Sequence, residues 1–239
     1  MTKMFDNSFP VRILVVSSMH SARAKYMNIL ITTSSLLFFF NKILVLTGKP
    51  LQRTLGWLLG TFAAVLFIVY FFLIGTHILS VLEIGLVLLM GYRFFAKEET
   101  NKKVEYLLGA VTAGMVIVLA YLTHVGMMTW MQCLAAFGML LGTYFLISVS
   151  QVVGSDIEIR ERIGWLLYGV GHMATSYIGY QKGEWIFFAF QVWQLLLCLV
   201  GCVYARREVR AEATKCVLVF GAVLLSLSLL AIIITSIYN

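Results

Sequence analysis

Eight apolar segments follow one another along the chain, each about 20 residues long, which is the length an α-helix needs to cross a bilayer. They lie at 28–47, 56–74, 78–96, 104–123, 126–152, 164–181, 185–204 and 216–237. Of the 239 residues, 61% are hydrophobic and 12% are charged, against about 45–50% and about 25% in soluble domains. The sequence therefore predicts an all-α membrane protein with seven to eight spanning helices. It argues against a soluble domain, a disordered chain and a nucleic-acid binder.

Basic residues are concentrated in every second loop. The loops after the first, third, fifth and seventh segments are rich in Lys and Arg, whereas the loops between them hold only Lys182. By the positive-inside rule, the basic loops are predicted to be cytoplasmic. The basic residues before position 28 would then lie outside, so either residues 1–27 form an amphipathic surface helix on the outer face or the number of spans is wrong by one near the first segment. Lys42 interrupts that segment, and we expect it to snorkel or to shorten the span, because a buried Lys costs about 2.5–3.5 kcal/mol.

An internal repeat is the most informative feature of the chain. Two segments beginning at Gly56 and Gly164 match at a constant offset of 108 residues. The matched residues are Gly56, Trp57, Leu58, Leu59, Gly75 and Ile78 with Gly164, Trp165, Leu166, Leu167, Gly183 and Ile186. Since 108 residues carry four predicted spans, both copies would enter the membrane in the same direction, as a parallel repeat. The predicted divisions are an N-terminal segment 1–27, a first helical repeat 28–123, a linking or first helix of the second half 124–152, and the remainder of the second repeat 153–239.

The sixth segment carries a polar and aromatic stripe. Trp165, Tyr168, His172 and Thr175 follow spacings of 3, 4 and 3, which places them on one helix face. Such a stripe suits a small ligand with a ring and hydroxyl groups, and an ionisable residue in mid-membrane is by default a candidate functional residue. The alternative is that His172 only joins two helices by a hydrogen bond.

Three further polar residues complete the candidate substrate site. Gln191 and Gln194 share one face of the seventh segment, and Glu83 occupies in the first repeat the position of Gln191. None of these side chains can be left unpaired in hydrocarbon, so they should face protein, water or a ligand. The alternative for Glu83 is an ion pair with Lys42. No metal-ligand or haem-ligand pattern is present, so no cofactor and no catalytic residue are predicted.

The chain resembles the Pnu-type vitamin transporters, whose best-known members carry nicotinamide riboside, and more loosely the YgjV-like proteins and the SWEET fold. The resemblance rests on WLL at 165–167, on Gly183 and Gly201, and on FFLIGT at 71–76. It implies two three-helix bundles joined by a linking helix, facilitated diffusion through a central site, and trimers. His172 stands where the Pnu pattern has an Asn, so nicotinamide riboside itself is not the predicted substrate.

These observations predict a membrane transporter, not an enzyme. The expected partners are a small ring-containing metabolite or vitamin precursor and the lipid bilayer of a bacterial inner membrane, with no nucleic acid. Two other classes stay open: a non-transporting membrane subunit or assembly protein, and a haem-binding or redox membrane subunit.

Overall fold

The computed structural model describes residues 9–47, 50–96, 101–123, 126–148, 156–204, 212–217 and 219. Within these ranges the regular structure is helical throughout, with a helical stretch at 212–217 after the seven long helices. The long helices are α1 (Phe9–Thr47), α2 (Pro50–Leu73), α3 (His77–Ala96), α4 (Lys102–Leu122), α5 (Met127–Ser148), α6 (Asp156–Lys182) and α7 (Trp185–Val203).

The helix ends follow local chemistry. Pro50 begins α2, a position where its missing N–H costs nothing because the first helical N–H groups have no partner inside the helix. Asn101 caps α4 by accepting a hydrogen bond from the Lys103 amide at 3.0 Å. Gly75 and Gly183 turn the chain after α2 and α6 with φ values of 72° and 71°, a backbone region that a residue with a Cβ rarely adopts.

The helices pack in two groups of three. In the first group α1 contacts α2 and α2 contacts α3, and in the second α5 contacts α6 and α6 contacts α7. The groups meet where α3 packs on α5 and where α1 packs on α7, while α4 contacts α3 and α5. Helices α5 and α6 approach closely, since a Cβ built on Gly138 would lie 2.8 Å from the amide nitrogen of Gly171. Small residues at such crossings are typical of helix packing in lipid.

Six of the described helices are long and apolar enough to cross a membrane. These spans are Tyr26–Leu46, Leu51–Leu73, His77–Phe95, Lys103–Leu122, Met127–Ile147 and Trp185–Val203. Large apolar side chains such as Phe62 and Phe72 on α2 point outward, 58% and 64% exposed, as expected of surfaces that contact lipid chains. The chain is therefore an all-α, multi-pass membrane protein.

Three sequence predictions differ from the structure or lie beyond it. The sixth segment forms α6, which has the length of a span but not the apolar composition, because it carries charges near its start and the polar stripe. Residues 9–27, predicted as a segment of their own, continue directly into α1. The predicted eighth segment, 216–237, lies almost wholly outside the described residues, as do residues 1–8.

Candidate functional site

The seven residues predicted for the substrate site are all buried. Trp165, Tyr168, His172 and Thr175 lie on α6, Gln191 and Gln194 on α7, and Glu83 on α3, and none is more than 3% exposed. The prediction that the four stripe residues share one face of α6 is confirmed. All four are buried, while Leu166 and Met173 on other faces are exposed.

One hydrogen-bond network joins α6 to α7 through the Gln191 side chain. The Gln191 Oε1 atom lies 2.6 Å from His172 Nδ1 and accepts a hydrogen bond from Thr175 Oγ1 at 2.8 Å. An amide oxygen can only accept, so in a neutral ring Nδ1 is the donor and Nε2 offers a lone pair. Nε2 is buried without a hydrogen-bond partner among the described residues. One ring nitrogen thus joins the helices, and the other is left for a ligand or water.

The residue that the sequence analysis did not place in the site is Lys42. Its side chain does not snorkel, since it is 2% exposed and extends from α1 onto α6. The Lys42 ammonium nitrogen lies 3.3 Å from the centroid of the Tyr168 ring and 5.9 Å from that of Trp165. The other neighbour of Tyr168 is His172, whose ring stacks on it at a centroid distance of 5.4 Å. Tyr168 therefore lies between a cation and an imidazole.

The electrostatic partner of Lys42 on α3 is Glu83. The two side chains interact electrostatically, but in the described part of the structure neither takes part in a direct ion pair with the other. The cation–π contact with Tyr168 is worth about 2 kcal/mol when desolvated, less than the about 2.5–3.5 kcal/mol that a Lys costs in mid-membrane. The cation–π contact by itself therefore offsets only part of the cost of burying Lys42.

Several buried polar atoms of the predicted site residues have no hydrogen-bond partner in the described structure. They are Glu83 Oε2, Trp165 Nε1, His172 Nε2, and both Nε2 and Oε1 of Gln194. Leaving one such buried group unpaired costs about 1–3 kcal/mol. Because Glu83, Trp165 and His172 all lie near the buried Lys42 ammonium, this cluster is a candidate site for a polar ligand or ordered water.

Beyond one end of this cluster lies a group of aromatic rings. Phe67 and Phe71 on α2 are stacked at 5.3 Å, and Phe187 on α7 packs edge-on against Phe71 at 5.6 Å. Phe38, one helical turn before Lys42 on α1, contacts Phe67 at 5.5 Å. We call these four residues the aromatic cluster. Phe71 and Phe187 each lie four residues from the Gly75 and Gly183 turns, so the cluster lies toward that end of α2 and α7.

Two polar contacts connect the two groups of helices at opposite ends of α2 and α6. Near the beginning of both helices, Arg53 and Glu161 form an ion pair of 3.4 Å. Near their ends, the Lys182 ammonium donates a hydrogen bond to the Ile74 carbonyl at 3.0 Å. Each contact joins residues that are 108 positions apart in the chain. Along α6, the stripe from Trp165 to Thr175 therefore lies between the two contacts.

An apolar groove lies on the outer side of the same helices. It has a volume of about 170 Å³, runs between α6 and α7, and is lined in part by Trp165, Cys198 and the exposed Leu199. No polar surface lines it, although Trp165 and Cys198, which line it, also lie in the neighbourhood of Lys42.

The described residues contain no group of three or more His, Cys, Asp or Glu side chains placed to hold a metal ion. Comparison with protein-family models, with curated proteins and with solved structures finds no match. The argument for function therefore rests on the geometry of this site.

The signal that could have found Lys42 was present in the sequence. A Lys inside an apolar segment is expensive, and the reasoning applied to His172 and Glu83 applies equally to it. Of the two expectations for Lys42, snorkelling is wrong, because the side chain is 2% exposed and its ammonium lies over the Tyr168 ring of α6. Cys198 on α7, which interacts electrostatically with Lys42, belongs to the same neighbourhood.

Proposed function

We propose that this protein is a membrane transporter for a small, ring-containing metabolite or vitamin precursor, working by alternating access without ATP hydrolysis of its own. The observation that carries the proposal is the occluded polar cluster, which is built by helices of both groups: α1 and α3 from the first, α6 and α7 from the second. A binding site at the interface of two similar halves, closed on both sides, is the arrangement that alternating access requires.

The two groups of helices are the two copies of a parallel repeat in this proposal. In support, α1, α2 and α3 have the same mutual neighbours as α5, α6 and α7, and the contact of α3 with α5 has its counterpart in that of α7 with α1. The positive-φ residues Gly75 and Gly183 hold equivalent positions. Helix α4 then takes the place of the linking helix, and 124–152 provides the first helix of the second half. This is the architecture that the Pnu-type and SWEET-like resemblance implies.

The Arg53–Glu161 ion pair and the Lys182–Ile74 hydrogen bond act as the two gates of the transporter. Both join equivalent positions of the two copies, so both lie near the axis that relates the halves. Opening one while the other stays closed exposes the polar cluster to one side only. With the basic loops in the cytoplasm of a bacterial inner membrane, the Arg53 gate faces inward and the Lys182 gate outward. Trimers, as implied by the resemblance, would leave a path through each protomer.

A thermal-shift panel on the purified protein tests this function. Nucleosides, vitamins, sugars and amino acids are screened for an increase in Tm, and each hit is then tested for counterflow in proteoliposomes. His172→Ala removes both the Gln191 hydrogen bond and the free Nε2 atom. We expect it to weaken binding by about 5- to 150-fold, the equivalent of about 1–3 kcal/mol for a buried polar partner.

A matched control for His172→Ala is Ser176→Ala, which removes a polar group from the same helix. The Ser176 hydroxyl bonds to the Met173 carbonyl of its own helix, so its loss should leave affinity unchanged. Equal binding by His172→Ala and the parent protein would contradict a role for the stripe. A panel in which no compound shifts Tm would favour a non-transporting subunit, and a Soret band in the purified protein would favour the haem-binding alternative.

A further inference from the structure

The buried charges of the site constrain the ligand more closely than the ring-and-hydroxyl argument does. Lys42 supplies one positive charge and Glu83 one negative charge, and they come from different helices of the first half, α1 and α3. Both side chains are at least 97% buried. Their formal charges cancel, so an occupant that itself carries a net charge would leave the closed site with an uncompensated charge in a low-dielectric surrounding.

Each of the two charged groups also lacks a counterpart in direct contact. The Lys42 ammonium contacts aromatic rings, but in the described structure it has no hydrogen-bond acceptor. The Glu83 Oε2 atom has no donor. Since buried charges need hydrogen bonds as well as a distant opposite charge, the site calls for an anionic acceptor at Lys42 and a cationic donor at Glu83.

The aromatic rings near Lys42 indicate that one part of the ligand is apolar. Phe38 lies on the same face of α1 as Lys42, one turn away, and belongs to the aromatic cluster with Phe67, Phe71 and Phe187. A ligand held by its charged groups at Lys42 and Glu83 can therefore extend a ring toward these four rings. Offset and edge-on contacts between rings stabilise such an arrangement.

We infer that the ligand of this site is an aromatic amino acid or a close zwitterionic relative, with its carboxylate on Lys42 and its ammonium on Glu83. The inference deepens the proposed function and rests on it, because it names the substrate class of the same site. The unpaired amide of Gln194 and the free Nε2 of His172 provide the remaining hydrogen bonds. A neutral polyol can bond to both charged groups but neutralises neither.

The test compares ligands that differ by one charged group at a time. Binding to the purified, full-length protein is measured by the Tm shift and by calorimetry for phenylalanine, tyrosine and tryptophan, then for phenylalaninamide and 3-phenylpropionate. Phenylalaninamide lacks the carboxylate and 3-phenylpropionate lacks the ammonium. We expect at least one of the three amino acids to bind, and the two phenylalanine analogues, or the corresponding analogues of tyrosine or tryptophan, to bind at least tenfold more weakly.

Two substitutions assign each end of the ligand. Lys42→Met should abolish the preference for the amino acid over its amide, and Glu83→Gln should abolish the preference over the analogue that lacks the ammonium. Lys103→Met, which changes an exposed Lys on α4, is the control and should keep both preferences. If Lys42→Met does not fold, the ligand comparison on the parent protein still decides the question.

The outcomes separate the ligand class from the transport proposal. If sugars, nucleosides or vitamins bind and are transported while no aromatic amino acid binds, the ligand class is wrong and the transporter stands. Equal affinity for the amino acid and both of its analogues would likewise overturn the inference. If no compound in any class binds, the inference and the proposed function both fail.

Discussion

The gate formed by Arg53 and Glu161 gives the sharpest test of alternating access. Glu161→Gln keeps the shape of the side chain and removes the charge of an ion pair whose two side chains are 14% and 6% exposed. Exposed pairs contribute about 0–1 kcal/mol, and breaking a fully buried pair costs about 3–5 kcal/mol. For this largely buried pair, whose separation of 3.4 Å is long, we expect a loss of about 1–2 kcal/mol from the closed state.

A shift of about 1–2 kcal/mol changes the ratio of open to closed molecules by about 5- to 30-fold. Cys198 reports this change, because it is a free thiol, 1% exposed, next to Lys42. In a variant with the other three cysteines replaced by alanine, its rate of modification by a membrane-impermeant maleimide measures the open fraction. Glu161→Gln should raise that rate by about 5- to 30-fold when the reagent is added on the Arg53 side.

The matched control is Glu212→Gln, which removes the carboxylate of an ion pair with Lys215 at 2.6 Å. Both side chains of that pair are more than 60% exposed, so its loss should not change the labelling of Cys198. The converse variant, Lys182→Met, should raise labelling from the opposite side only. Labelling of Glu161→Gln within twofold of the parent, or an equal increase from both sides, would refute the assignment of this ion pair as a gate.

Two further predictions concern single glycines and are read out as the free energy of unfolding in detergent. Gly201→Ala should destabilise the protein by about 1–3 kcal/mol, because the added Cβ would lie 2.5 Å from the Trp165 ring. Its control is Gly169→Ala, where the nearest atom to the added Cβ is 3.5 Å away. Equal stability of the two variants would contradict the packing at Trp165. Gly183→Ala should cost about 1–2 kcal/mol, since φ is +71° there. The control Gly109→Ala, where the added Cβ meets open space on α4, should instead stabilise the protein by up to about 1 kcal/mol. An unchanged free energy of unfolding in Gly183→Ala would argue against the positive-φ turn.

Much of the fold follows from local sequence. Lipid forces every backbone N–H and C=O to be paired within its own segment, so long apolar runs become helices whatever their partners. The predicted segment 185–204 is observed as Trp185–Val203, and 78–96 as His77–Ala96. The predicted segment 164–181 covers only the apolar part of α6, which begins at Asp156. Its first residues were missed because they are charged, and a search for apolar segments does not detect them.

The sequence was enough to predict which site residues share a face of the same helix. Trp165, Tyr168, His172 and Thr175 share a face because the helical period fixes that relation, and all four are buried as expected. Glu83 and Gln191 were found because polar side chains in apolar segments are costly and therefore informative. Their common burial is confirmed, and their role in binding a substrate remains a prediction.

The sequence by itself determined that this chain lives in a bilayer, where α3, α4 and α7 begin and end to within a few residues, and which faces of α6 and α7 are polar. The tertiary structure decided that Lys42 lies over Tyr168 and that His172 and Thr175 share the Gln191 oxygen. It also decided that Arg53 pairs with Glu161 and that Lys182 bonds to the Ile74 carbonyl. The physical reason is that these contacts join helices distant in sequence. Helical periodicity orders residues within one helix, whereas only the packing of α1 against α7, and of α6 between α5 and α7, brings the separate polar faces to one place.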